Sequence, residues 1–436
     1  MATVRNLKTA KVVFYMSAAA LLMLYGYVSS ILGLPPGPLI DKAMQQVASY
    51  VAEPDFVKDR AFDRQGVTVL DRARVAPGPT LIASHFERWD WSTGLVLIDQ
   101  EGSILHEWPL EARLVFERLA EHRDRPDIGN VHGSYLFENG DILVNVSYSG
   151  VLRADACGKV VWSLPNFAHH SISRDDEGYF WIPTTTVAEV PKSPLFPDGY
   201  PGLDRPVNHD RVVRISEHGV TVASISMLDV LFQNGLARFL FKSRPDFPPD
   251  LMHVNDVEPL PEALAAEYPL FDAGDLLVSM RSSDLVLVVD PVTRKVLWHI
   301  SEPLVHQHDP DFIGGGWIGV FDNASDGTER GGSLGGSRIL AFQPHTGRQE
   351  ELYVPSPSGT FYTEELGKWQ LLDNGNLLLT EGQAGRLIEV SPEGRTVWEW
   401  IQEPYDGSKA VEVTEGTRYH LTREQIAAWD CTPEAE

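Results

Sequence analysis

Cysteine is nearly absent from this 436-residue chain: only Cys157 and Cys431 occur, and there is no CxxC pair. That argues against a disulfide framework and a thiolate-rich metal or redox site. A single bridge between the two stays open, although Cys157 sits in a hairpin-like ADACGK turn and Cys431 falls in the last six residues. Basic residues are also scarce, 36 against 61 acidic, for a formal charge of −25. Phosphate backbones need a basic surface, so the charge argues against a nucleic-acid partner. The same charge repels anionic substrates at long range, so any anion site must be built locally.

Long hydrophobic runs are represented by one stretch, Val12 to Leu34, which carries no charged residue. As a helix it would reach about 34 Å, against about 30 Å for a hydrocarbon core. Arg5, Lys8 and Lys11 precede it and no acidic residue comes before Asp41. The positive-inside rule then exports everything after the run. The run is too long for a cleavable signal peptide, and LGLPPGP is a poor cleavage context. The expectation is a single-pass anchor in 1–36 with the rest on the periplasmic, extracytoplasmic side. Residues 37–77 read as a connector with one amphipathic helix on Ile40, Met44, Val47, Val51 and Phe56.

From about Pro79 the pattern changes to short β-rich runs separated by Gly, Asn-Gly and Asp-Gly. One unit recurs, ending in GLVLIDQEGSILHEW (94–108), VLRADACGKVVWSL (151–164), VVRISEHGVTVASI (212–225), LVLVVDPVTRKVLWHI (285–300) and RLIEVSPEGRTVWEW (386–400). A degenerate sixth covers 338–354. Alternating strands joined by such turns are antiparallel hairpins, and repeats of this period indicate a β-propeller. The fold class is therefore all-β, with six blades over 78–402 fitting the count and five or seven as alternatives. The run at 81–84 is expected to complete the final blade. Insertions are expected at 185–211, a proline-rich rim loop, and at 226–250, either a helix packed over the mouth or a membrane-facing patch. The tail, 403–436, ends in a short helix for which Thr422 and Gln425 form a capping box.

Three histidines share a register. His132, His170 and His308 each stand eight residues before a glycine, at the start of a strand-like run, and His253 opens a similar unit with a longer loop. The first strand of a blade lines the central channel, so these imidazoles should converge. Arg281 follows DLLVSM directly, where alternation carries it to the end of the innermost strand. A guanidinium opposes a metal ion but holds an oxyanion by two parallel hydrogen bonds. The constellation therefore indicates an anion-binding or anion-transfer pocket with no metal or organic cofactor.

HVNDVEPL, GDLLVSMR, the following W-H-I strand and QHDPDF…GVFDN together resemble the bacterial arylsulfate sulfotransferases over about 165–400. HHSISRDDEG is similar to that family's first catalytic-histidine segment, and the eight-residue spacing selects His170 over His169. The resemblance implies an exported six-bladed propeller moving a sulfuryl group from an aryl sulfate to a phenol. It implies that His308 attacks sulfur, His253 and Arg281 hold the sulfuryl oxygens, and His170 exchanges the phenolic proton. His132, Asn255, Asp309 and Asn323 are expected to complete the substrate site, Asp309 by orienting an imidazole. Family members carry a separate N-terminal β-domain, which the connector replaces here, so a homodimer is left open. A propeller that only binds a partner or scaffolds an envelope complex is the alternative reading. A metal- or quinone-dependent oxidoreductase is a third, disfavoured by the lack of a carboxylate-rich calcium motif and of vicinal cysteines.

Overall fold

A computed structural model of the chain describes residues 2–31, 54–110, 116, 130–241, 250–328, 330–356 and 360–429. It divides into two units, 1–54 and 55–436. In the first, helix α1 (Ala2–Ile31) runs through the apolar stretch and leaves Phe14, Leu22, Met23 and Tyr27 exposed. Among the described residues no helix is long and apolar enough to cross a membrane, so the expected transmembrane segment is not supported. Its last residues, 32–34, and the amphipathic helix expected through Val51 lie outside the described residues.

The second unit is a six-bladed β-propeller, each blade built on four antiparallel strands. Blade 2 is Val131–Leu136, Ile142–Val146, Gly150–Ala154 and Val160–Leu164. Blade 3 begins with the short Ser173–Arg174 and continues through Phe180–Ala188, Val207–Ile215 and Thr221–Ser226. Blade 4 holds Val254–Pro259, Leu276–Met280, Leu285–Val289 and Val296–Ile300. Blade 5 holds His308–Phe312, Ile318–Asp322, Arg338–Gln343 and Arg348–Tyr353. Blade 6 holds Lys368–Leu371, Leu377–Glu381, Arg386–Val390 and Thr396–Ile401.

Blade 1 corrects two expectations. Thr80–Phe86 pairs with Ser92–Ile98, which pairs in turn with Ile104–Pro109, and does not complete the final blade. Its innermost strand is Val413–Arg418, so the ring closes with a segment expected to be tail beyond residue 402. Inner strands line a polar channel and read VTEGTR or HDPDF, with little of the apolar signal that marks a strand. The connector contributes as well: Gly66–Leu70 adds a fifth, outermost strand to blade 6 and Val57–Asp59 pairs with Lys409–Val411.

Apolar clusters fill the seams between blades: Leu81, Trp108 and Val144 between blades 1 and 2, for example, and Leu378, Trp398 and Ile82 between blades 6 and 1. The tryptophans on the outer strands of the repeat units, such as Trp108, Trp162 and Trp398, serve these seams. Trp108 Nε1 donates to Gly140 O at 3.0 Å, Trp162 Nε1 to Glu217 O at 3.0 Å and Trp398 Nε1 to Gln100 O at 2.9 Å. Each indole thus fills a seam and satisfies its one donor on a hairpin turn of the next blade.

The first insertion is shorter than expected. Its flanks are strand, paired out to Ala188 and Val207, and the loop buries Tyr200 and Leu203. In the second, Ser226 caps helix α2 (Met227–Gln233) by accepting from the Asp229 amide. Met227, Leu228, Val230 and Leu231 pack against Leu251, Met252 and Val254, the packed-helix alternative. Residues 242–249 lie outside the described residues. Helix α3 (Arg423–Ala427) carries the Thr422–Gln425 capping box. Cys157 is exposed, and Cys431 is outside the described residues.

Candidate active site

Strand register builds the site. Leu136, Arg174, Pro259, Phe312, Leu371 and Arg418 each form the last pair of an inner strand. Four residues before each lies, in turn, His132, His170, Asn255, His308, Gly367 and Thr414. One residue further down lies Gly133, Ser171, Asp256, Asp309, Lys368 and Glu415. These two stacked rings line one internal cavity of about 40 Å³. That is space for about three waters. His253 is not register-equivalent, as the sequence suggested; Asn255 is. In blade 4 the long connection from Pro259 to Leu276 replaces the short turn from which the count runs, and His253 stands two residues before the equivalent position.

The imidazoles nevertheless meet. His170 lies 4.0 Å from His132, 4.9 Å from His253 and 6.3 Å from His308 between ring centroids. His253 Nε2 is 3.3 Å from His170 Nε2. Blade packing at His170 depends on one glycine: at Gly133, with φ 129°, a Cβ would sit 2.0 Å from the His170 carbonyl oxygen. Asn145, fully buried on blade 2, holds the same loop by donating to His170 O at 2.7 Å and Ser171 O at 2.9 Å.

Hydrogen bonds fix the tautomer of His308. Asn323 donates Nδ2 to Thr363 O at 2.9 Å and Leu366 O at 2.7 Å, so its Oδ1 must be the atom facing His308 Nδ1 at 2.7 Å. His306 O lies 3.1 Å from the same nitrogen. Two acceptors require Nδ1 to carry the proton, which leaves the Nε2 lone pair bare. Burial, and then the Arg281 charge, depress the His308 pKa well below that of a free imidazole, so the ring is neutral at pH 7. His170 is likewise held well below the usual value, by burial and then by the neighbouring His132. Burial, then His253, brings His132 down to about 3. His253 Nδ1 meets Asp250 Oδ2 at 2.6 Å.

Arg281 comes off the second strand of blade 4, not the innermost strand as expected. Asn323 occupies the matching place in blade 5, directly after the second strand, which is why the two flank His308. Arg281 Nη2 donates to Glu365 Oε1 at 3.0 Å, whereas its buried Nε has no hydrogen-bond partner among the described residues. Asn255 donates to Gln307 O at 2.8 Å, and its buried Oδ1 has no partner among the described residues.

Asp309 does not orient an imidazole. Its carboxylate accepts from Lys368 Nζ at 3.1 Å and the Trp369 amide at 2.7 Å, pinning blade 6 to blade 5. The lower ring is otherwise short of counter-charge: burial, then Asp309, pushes Asp256 up to about 8. Among the described residues no group of three or more His, Cys, Asp or Glu is arranged to hold a metal ion. A larger cleft of about 600 Å³ lies at the opposite end of blades 3 and 4, rimmed by Asp175, Asp176, Glu177 and Glu262, which would repel a sulfate ester.

The family model for "Arylsulfotransferase (ASST)" matches residues 133–403. The chain belongs to the arylsulfotransferase family. The matched span contains His170, His253, Arg281 and His308, and begins one residue after His132. No curated protein matches the sequence. Solved structures similar to this arylsulfotransferase-family chain include a protein of unknown function from Bacteroides caccae, 13% identical, covering 78% of this chain and 98% of that one, with a TM-score of 0.46. A streptogramin B lyase is 12% identical, with coverage of 84% and 100% and a TM-score of 0.41. TolB from Acinetobacter baumannii is 12% identical, with coverage of 78% and 66% and a TM-score of 0.41.

Proposed function

We propose that this protein transfers a sulfuryl group from an aryl sulfate ester to a phenolic acceptor through a sulfohistidine at His308. In the donor half, the His308 Nε2 lone pair forms the N–S bond while the S–O(aryl) bond breaks. The departing phenolate takes the His170 Nε2 proton. In the acceptor half, a phenol oxygen attacks sulfur, His170 recovers a proton, and the N–S electron pair returns to His308. Negative charge spreads over three sulfuryl oxygens, which Arg281 and His253 would hold. Asn323 acts by orienting His308, a different role from the substrate contact expected from sequence.

The observation that carries this reading is the locked His308 tautomer, which leaves a bare nucleophilic nitrogen on a ring that feels the Arg281 charge. A purely binding or scaffolding propeller leaves it unexplained. The test is transfer from 4-nitrophenyl sulfate to phenol: release of nitrophenol that needs acceptor and vanishes in His308→Ala supports it, and release indifferent to that substitution removes it. The proposal also places the propeller outside the cytoplasm, with α1 associated with the membrane. The support is the basic flank and the exposed apolar side chains of α1; recovery of the protein in a soluble cytoplasmic fraction would contradict it.

A further inference from the structure

The proposed mechanism asks a neutral, buried imidazole to give up a proton. Deprotonating neutral His170 at Nε2 alone would create an imidazolate, which a low-dielectric site does not tolerate. The proton can leave only if the other ring nitrogen gains one at the same time. That nitrogen is already engaged: His170 Nδ1 lies 2.7 Å from His169 Nδ1. Two ring nitrogens at that distance share one hydrogen, so one donates and the other accepts.

We propose that His169 and His170 form a proton-relay pair in which His169, a positioning residue, refills His170 Nδ1 as His170 Nε2 protonates the leaving phenolate. Before the donor half, His169 is an imidazolium and its Nδ1–H points at His170 Nδ1. As the S–O(aryl) bond breaks, the Nε2 proton of His170 goes to the phenolate oxygen. The Nδ1 proton of His169 crosses to His170, leaving both rings neutral. The acceptor half runs the same transfers backwards: the phenol proton goes to His170 Nε2 and the Nδ1 proton returns to His169. One proton leaves and one returns per cycle, with no outside acid or base.

The surroundings of His169 suit a ring that carries charge for part of the cycle. It is 1% exposed and stacks on Tyr148, centroids 5.0 Å apart with 24° between planes, so a cation would meet an aromatic face. The Asp250 carboxylate lies within electrostatic reach of His169, while His253, 6.2 Å away, also draws on that carboxylate. The backbone is fixed independently of the ring. The His169 amide donates to Pro183 O at 3.1 Å, and Asn145 clamps the following carbonyls. His170 holds a left-handed φ of 59°, strain of the kind kept at functional positions.

This inference rests on the sulfotransferase reading, and one experiment separates their failures. The full chain is mixed with phenyl sulfate or 4-nitrophenyl sulfate without acceptor, so that only the donor half is read as a single turnover. Phenol is a weak acid and its departure needs the proton; 4-nitrophenol is far stronger and leaves as the anion. In His169→Gln, phenol release should fall by about 10²-fold, the lower range of a general-acid contribution. Nitrophenol release should change only a few-fold. Loss of both alike, or of neither, overturns the relay. A wild-type protein that releases neither phenol removes the sulfotransferase reading and the relay with it. Where the variant does not fold, the unaltered chain with ¹⁵N-histidine gives a second reading. A coupling across the hydrogen bond between the two Nδ1 nuclei supports the pair, and its absence at neutral pH overturns it.

Discussion

Removing the side chain of Asn323 should separate the chemistry of His308 from its presence. In Asn323→Ala the imidazole keeps its backbone and its contact with His306 O but loses the 2.7 Å acceptor that fixes the Nδ1–H tautomer. One hydrogen bond of about 1–1.5 kcal/mol sets the tautomer balance, and about 1.4 kcal/mol is a factor of ten in population. Outer-shell partners of functional histidines typically contribute about 10–100-fold, and the expected loss in the donor-half rate falls in that range. A second, independent cost is structural. Leu366 O loses its donor while Thr363 O keeps Ser337 Oγ at 3.3 Å, so stability should fall by about 1–2 kcal/mol. Stopped-flow nitrophenol release gives the first quantity and urea unfolding the second. A variant destabilised as expected but sulfurylated at the wild-type rate would refute the tautomer argument.

The remaining expectations follow from the same geometry. Because burial and Arg281 hold His308 well below the usual imidazole pKa, its reactive neutral form persists as pH falls through 6.5. With 4-nitrophenyl sulfate, whose leaving group needs no proton, the donor-half kcat/KM should therefore show no decline centred at 6.5 as pH falls, and such a decline would contradict this. Asp256 keeps its proton up to about 8 in the folded state, whereas an unfolded aspartate sheds it near 4. Between those values the folded chain binds the extra proton, so wild-type stability drops as pH rises. Asp256→Asn removes that dependence. Its stability relative to wild type should rise between pH 5 and 8 by up to about 4 kcal/mol in urea melts, and an unchanged difference would count against it. Gly133→Ala places a Cβ against the His170 carbonyl at a positive φ. Thermal unfolding should show a loss of about 2 kcal/mol or more, with activity falling alongside it.

The sequence made the six repeat units readable because each carries two or three strands of alternating residues with a Gly-containing turn. It hid the closing strand, since Val413–Arg418 faces the channel and spends its pattern on polar residues. The convergence of His132, His170 and His308 was legible because all three share a strand position and an unbroken count to the same turn. His253 lies two residues off that position because the long loop between Pro259 and Leu276 replaces the short glycine turn from which the count runs. Asp309 was misread for a conformational reason. Its left-handed φ of 46° accompanies a carboxylate that faces Lys368 and Trp369 rather than an imidazole. The spacing rule selects one histidine of an adjacent pair and so passes over His169, because a hydrogen bond between neighbouring rings leaves no periodic trace.

The most direct test is mass spectrometry of the full chain after brief exposure to 4-nitrophenyl sulfate without acceptor. One sulfuryl group per chain, located on His308 and discharged by added phenol, is the predicted result. No adduct, or an adduct on another residue that turns over at the same rate in His308→Ala, would contradict the account.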